Sequence, residues 1–264
     1  MTPHFKPTHI AIMKNSSNPF RQSPASADVF DKALSPWWRQ RRIAAIRIRC
    51  ALWRAAARAF DVVKRGFDIS ASIILLILLS PVFVTIAMLI KLDGGPAFFP
   101  QTRVGLRGRT FKMYKFRSMC VNAETRLKEL LAQNELGSDL RFKMKNDPRI
   151  TRIGRIIRGT SLDELPQLLN VLRGEMSLVG PRPPVPREVD LYTLKDRRRL
   201  EHKPGITCLW QVGERDGGFW QIGSRNKIDF AEQVELDVRY IESRSFLRDL
   251  WILVKTVPAM VLGK

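Results

Sequence analysis

From Ile69 to Ile90 no charged side chain interrupts a run of Ile, Leu, Val and small residues. At about 1.5 Å per residue a helix of that length covers roughly 33 Å, close to the ~30 Å hydrocarbon core of a bilayer. Ser80-Pro81 falls at its middle, where proline removes a backbone donor and crowds the preceding turn. Lys64, Arg65 and Asp68 flank one end, and Lys91 and Asp93 the other. Basic residues at both ends fit poorly with one end on each side of a membrane, because positive charge prefers the cytoplasmic side. The pattern predicts a re-entrant helix over residues 62–93 that breaks at Ser80-Pro81 and returns to the face it entered. A straight span and a buried core helix are the alternatives.

The text on either side has a different character. Residues 1–36 scatter prolines among Ser, Asn and Thr, the composition of a disordered tail. No apolar core of a secretory signal follows the first basic residues. Residues 37–61 hold Arg39, Arg41, Arg42, Arg47, Arg49, Arg54 and Arg58, with no acidic partner before Asp61. Trp38, Ile43, Ile46 and Trp53 are interspersed, which suits a basic helix lying on an anionic membrane surface and equally a nucleic-acid-binding or solvated helix. Residues 94–264 read as a soluble domain. Gly94-Gly95-Pro96 and Gly105 to Gly108 mark turns, and Thr110 to Phe116 alternates as a strand does. Glu124 to Leu136 has one leucine face. Arg149 to Arg158 sets isoleucines 150, 153, 156 and 157 against arginines, a pattern that suits a membrane surface or a core equally. Asp249 to Leu262 reads as an apolar amphipathic helix. The fold class expected is mixed α/β, mostly helical.

Charge narrows the partners. Lys and Arg exceed Asp and Glu by 45 to 25, a net charge of +20, so the partner is anionic. Cys50, Cys120 and Cys208 are widely separated and lack metal-ligand spacing, and His4, His9 and His202 are as dispersed. A zinc site and a disulfide framework are not expected.

Within this basic text two carboxylates, Asp163 and Glu164, are adjacent. Arg152, Arg155 and Arg158 precede them, and Arg173 and Arg182 follow. Cations so near favour ionised carboxylates and gather anionic substrates, which makes this a place for chemistry on phosphate. The plain alternative is the first turn of a core helix. Ser161 and Glu164 have capping-box spacing, and Leu165, Leu168, Leu169 and Leu172 recur at helical intervals. If Ser161 is the N-cap, Pro166 falls past the first turn and deletes a helical hydrogen bond.

The order of motifs resembles the bacterial sugar transferases, the monotopic polyprenyl-phosphate phosphoglycosyltransferases. The matching text is Lys64-Arg65-Gly66-Phe67-Asp68, the apolar run with Ser80-Pro81, Lys91 to Pro96, Gln101-Thr102-Arg103-Val104-Gly105 and Lys115-Phe116-Arg117-Ser118-Met119. It continues through Asp147 to Thr151, Ser161 to Gln167, Met176 to Pro183 and Lys203-Pro204-Gly205-Ile206-Thr207. The resemblance implies an enzyme of the cytoplasmic face of the bacterial inner membrane. It would move a sugar phosphate from a nucleotide diphosphate sugar, usually a UDP sugar, to polyprenyl phosphate, releasing UMP.

Asp163 maps to the nucleophile and Glu164 to its partner, with Mg2+ held between them. Arg158 maps to a phosphate-gripping arginine. Pro181, Arg182 and Pro183 map to a nucleotide-recognition loop, and Lys115 and Arg117 to substrate-binding cations. The resemblance brings anionic membrane lipids as partners, no nucleic acid, and leaves a homo-oligomer open. A one-step ternary mechanism and a silent membrane scaffold are the competing readings. The text departs from the family where Trp210-Gln211-Val212-Gly213-Glu214-Arg215 is followed by a near copy, Trp220 to Arg225, and where Cys208 stands at a position glycine commonly fills.

Overall fold

The apolar run forms two helices with a sharp bend between them. In the computed structural model, which describes residues 36–130, 147–212, 214–215, 218–219 and 229–262, α1 (Pro36–Leu78) and α2 (Ser80–Lys91) meet at 64°. Only Leu79, at φ −92° and ψ 4°, separates them. In an unbroken helix the N–H of residue 81 would bond the carbonyl of Ile77. Proline has no N–H, and the Ser80 hydroxyl donates to that carbonyl instead, at 2.8 Å. Ser80 and Pro81 therefore act as a pair, one opening the ladder and the other satisfying the group left over. No single described helix is long and apolar enough to cross a membrane; the bent pair together is.

The chain divides between Phe60 and Asp61. On the N-terminal side, the first turns of α1 leave their arginines and tryptophans exposed. Trp37 and Trp38 meet edge to face, and the Arg41 guanidinium lies 4.1 Å over the Trp37 ring. The tail before residue 36 lies outside the described residues.

On the C-terminal side, β1 (Phe98–Val104) and β2 (Thr110–Phe116) make an antiparallel hairpin, with Phe98 opposite Phe116 and Val104 opposite Thr110. The turn between them places Arg107 at φ 55° beside Gly108 at φ 77°. The leucine-faced segment begins as α3 (Ala123–Leu130), and its residues 131–136 lie outside the described residues. Next come α4 (Arg152–Gly159), capped by Thr151, and α5 (Gln167–Arg173), closed by Gly174 at φ 80°. Strand β3 (Ser177–Val179) pairs in parallel with β4 (Gly205–Thr207), and the crossover carries the one-turn helices α6 (Pro186–Val189) and α7 (Leu194–Arg197). A short hairpin, β5 (Glu214–Arg215) with β6 (Gly218–Phe219), precedes α8 (Phe230–Ser243) and α9 (Phe246–Leu262). The Trp220 copy of the repeated segment lies outside the described residues.

Two apolar clusters decide which faces turn inward. The larger gathers Met113, Leu168, Val171, Met176, Leu178, Leu209, Trp210, Leu236, Tyr240 and Ile252 from β2, α5, β3, α8, α9 and the segments just before β3 and after β4. The smaller joins Ile86 and Ile90 of α2 to Phe116 and Ile157. Thus α4 puts Ile157 against α2, while Ile156 on its other side stays 66% exposed.

Buried polar groups fix the remaining geometry. The Arg65 guanidinium donates to the carbonyls of Val171 and Leu172, taking up the C-terminal end of α5. Lys64 lies between Asp68 at 2.6 Å and Asp249 at 3.0 Å, and Ser177 donates to Asp68, so α1 and α9 share one cation and Asp68 links it to β3. Tyr240 donates to Asp249 at 2.7 Å, and burial raises its phenol well above the ordinary value.

Candidate functional site

The carboxylate pair sits on a 3₁₀ turn, Leu162–Glu164, and not in the first turn of an α-helix. Ser161 is left-handed at φ 57°, and its side chain makes no capping bond. A non-glycine residue in that region costs of order 1 kcal/mol, held here by the elements on both sides. Pro166 is the N-cap of α5, where a missing N–H costs nothing. The capping box expected from Ser161 and Glu164 is therefore absent. The proline starts a helix instead of breaking one.

Strand β2 lies over this turn. Met113 and Lys115, two residues apart, share a face. The Lys115 ammonium meets Glu164 Oε1 at 2.6 Å, with both side chains mostly buried. Asn170 holds the two elements in register. Its Oδ1 accepts from the N–H of Tyr114 at 3.0 Å, and its Nδ2 donates to the carbonyl of Lys112 at 2.7 Å. A fully buried side-chain amide thus pairs with the strand edge as a neighbouring strand would. Nδ2 also donates to Glu175.

The third wall is the loop after β3. Arg103, Lys115 and Arg182 line a small cleft with Glu164, Gln167 and Gln211 as its other polar members. Met113, Pro183, Gly205 and Ile206 complete it. Gln211 is held by its oxygen, which accepts from the N–H and the thiol of Cys208, so its amide nitrogen is the end left for a ligand. Gly205 admits no side chain: a Cβ there would lie 2.1 Å from the N–H nitrogen of Gly180.

Electrostatics treat the two acids differently. For Asp163, burial pushes the carboxyl above its ordinary value, with Glu164 adding to the rise and Lys115 and Arg158 opposing it. For Glu164, burial pushes the same way, but Lys115, Arg182 and Arg103 together outweigh it and hold the carboxyl below its ordinary value. Adjacent carboxylates therefore differ in character: Glu164 is a fixed anion, and Asp163 a poorly solvated one.

Among the residues singled out from sequence, the structure brings Lys115, Glu164, Arg182 and Pro183 to one cleft, with Asp163 on the same turn as Glu164. Arg158, exposed in the last turn of α4, acts on Asp163 through its charge. Pro181 is buried behind the cleft, its carbonyl accepting from Gly205. Arg117 lies elsewhere: it is buried against Gly95 and donates to the carbonyl of Ile90 at the end of α2. Sequence reasoning passed over Arg103, Gln167, Asn170 and Gln211. Arg103, Gln167 and Gln211 stood in quoted motifs, but nothing in their spacing marked them as cleft residues. Among the described residues no group of three or more His, Cys, Asp or Glu converges.

A cleft carboxylate under lysine and arginine, with a second carboxylate beside it on the same turn, suits the handling of anionic groups. The chain belongs to the bacterial sugar transferase family, whose model matches residues 59–263. It is 48% identical over 202 residues to the galactosyl transferase CpsE of Streptococcus agalactiae, covering 76% of this chain and 43% of the relative. It is 44% identical over 209 residues to the undecaprenyl-phosphate galactose phosphotransferase of Salmonella typhimurium, covering 78% and 42%. To the exopolysaccharide production protein ExoY of Sinorhizobium fredii it is 42% identical over 205 residues, covering 76% and 86%. The chain spans less than half the length of the first two.

Proposed function

We propose that this protein transfers a sugar 1-phosphate from a nucleotide diphosphate sugar, with UDP as the nucleotide, to polyprenyl phosphate. The observation that carries the reading is Asp163, half-buried on the same turn as Glu164, which pairs with Lys115 in a cleft that Arg103 and Arg182 make positive. The name of the Salmonella relative, which acts on undecaprenyl phosphate, supports the acceptor.

In this mechanism Asp163 attacks the sugar-bearing phosphorus. A P–O bond forms to its carboxylate, the bond to the bridging oxygen breaks, and UMP leaves with that oxygen and its electron pair. An oxygen of polyprenyl phosphate then attacks the same phosphorus, the aspartyl bond breaks, and polyprenyl diphosphate sugar is released. Poor solvation of Asp163 favours its attack. Lys115 and Arg182 offset the charge brought by three phosphates, and Arg158 adds to the field from the end of α4. Asp163 and Glu164 would hold Mg2+, an ion commonly bound by one or two carboxylates together with substrate phosphates, and it would supply further neutralisation of the phosphate oxygens.

In the same reading the bent α1–α2 pair enters and leaves the cytoplasmic face of the bacterial inner membrane. Residues 37–60 lie on its anionic lipids.

The test is UMP release by detergent-solubilised protein from a panel of UDP sugars with Mg2+, with and without undecaprenyl phosphate. Acceptor-dependent turnover with one sugar is expected, with a stoichiometric UMP burst when acceptor is withheld. Asp163→Asn is expected to lower turnover at least about a thousandfold, as loss of a nucleophile does. Turnover without a burst would mean direct transfer, and full activity in Asp163→Asn would sink the assignment.

A further inference from the structure

The loop that carries Arg182 is short of donors. Pro181, Pro183 and Pro184 have no N–H, so the backbone there can be held mainly through its carbonyls. All four carbonyls in succession are taken. Pro181 accepts from the N–H of Gly205 at 2.9 Å, and Pro184 from the N–H of Val104 at 2.9 Å. The two between them accept from guanidinium groups: Arg182 from Arg199 Nη2 at 3.3 Å, and Pro183 from Arg103 Nη1 at 3.0 Å.

Each of these guanidiniums is anchored on its other side. Arg199, only 4% exposed, is paired with Asp237 of α8 and donates to the Tyr192 hydroxyl at 3.1 Å. Arg103 donates to Gln101 Oε1 through Nε at 3.2 Å and Nη2 at 2.8 Å. A planar fork can grip an anchor and a carbonyl together, whereas a lysine ammonium is a point charge on a flexible stem.

We propose that Arg199 and Arg103 are positioning residues: they clamp the Pro181-Arg182-Pro183 backbone and so aim the Arg182 guanidinium at the diphosphate of a nucleotide in the cleft. The ligand class rests on the function proposed above; the clamp does not. The reason to need one is the precision a phosphate grip demands, since a displacement of about 1 Å can cost a hundredfold. The plainer account is that Arg199 and Asp237 merely tie the turn before β4 to α8. That account predicts lost stability with the work of Arg182 unchanged.

Two measurements on the full chain in detergent separate them, using Arg199→Lys, Arg103→Lys, Arg182→Ala and the Arg199→Lys/Arg182→Ala double variant. The first is amide hydrogen exchange without ligand, in peptides holding the N–H groups of Val104 and Gly205. Either lysine variant is expected to speed it about tenfold while exchange in α8 keeps its rate. The second is UDP affinity by calorimetry. Arg199→Lys is expected to weaken it about tenfold, the factor for one lost charge-assisted bond, and to have no further effect once Arg182 is alanine. Unchanged exchange, or effects of Arg199→Lys and Arg182→Ala that simply add, would overturn the clamp. If Arg199→Lys does not fold, Arg103→Lys decides by exchange. If the wild-type chain does not bind UDP, the nucleotide reading fails and exchange alone decides the clamp.

Discussion

Asp163 and Glu164 are joined by one peptide bond and driven in opposite directions by what covers them. Burial raises the Asp163 carboxyl, so as pH falls its charged, attacking form is lost at a higher pH than for an ordinary aspartate. The acid limb of the transfer rate is expected above the ordinary 3.8 of an aspartate, read from initial rates across pH 4–8. Glu164 titrates the other way. Its folded value lies below the unfolded 4.5, so its stabilisation is complete above 4.5 and is lost as pH falls through the lowered value. Glu164→Gln is therefore expected to lower the urea midpoint at pH 7, with the gap to wild type closing as the solution is made more acid than pH 4.5. The carboxylate pair was legible in sequence because two acids in a run of arginines break a pattern. Their difference was not, because it depends on Lys115, brought from β2 by the fold.

At the scale of elements, the break at Ser80-Pro81 and the docking of α5 on β2 have opposite legibility. A proline inside an apolar run announces a bend wherever the run lies, because the cause is local. Pro81→Ala restores the N–H that Ile77 lacks and is expected to straighten the pair. Spin labels at Val63 and Leu89, 26 residues apart along the chain, should move towards about 39 Å, the straight-helix value. A distance unchanged from wild type would mean the bend is imposed by packing on Phe116 and Ile157. Asn170, by contrast, looks like an ordinary helix residue in sequence. Two of its three hydrogen bonds exist only because α5 meets the free edge of β2, and the third goes to Glu175. Asn170→Leu keeps the size and removes all three, and is expected to cost about 3 kcal/mol, seen in thermal unfolding, and to loosen the Lys115–Glu164 pair. The alternative of a core helix starting at Ser161 fails for a related reason. Leucine spacing runs through Pro166, but the left-handed Ser161 starts a separate 3₁₀ turn.

For the whole molecule, charge and apolar exposure together set the partners. From a net charge of +20 and an exposed Arg- and Trp-bearing stretch from 37 to 60, salt-sensitive binding of anionic vesicles is the expected outcome. Arg47, Arg54 and Arg58 fall on one side of α1, and reversing all three to Glu is expected to weaken co-sedimentation with phosphatidylglycerol vesicles by at least about 1 kcal/mol per residue. Equal binding to neutral vesicles would contradict the electrostatic reading. The sequence by itself determined the features whose causes are local or compositional. These are the helical character, the bend at Ser80-Pro81, the alternation of Thr110 to Phe116 that becomes β2, the family, and the acids that stand out among arginines. The tertiary structure decided the cleft. Arg103, Lys115, Glu164, Arg182 and Gln211 come from four separate stretches of chain. The charges of Arg103, Lys115, Glu164 and Arg182 act on one another through the protein, at separations that spacing along the chain does not encode.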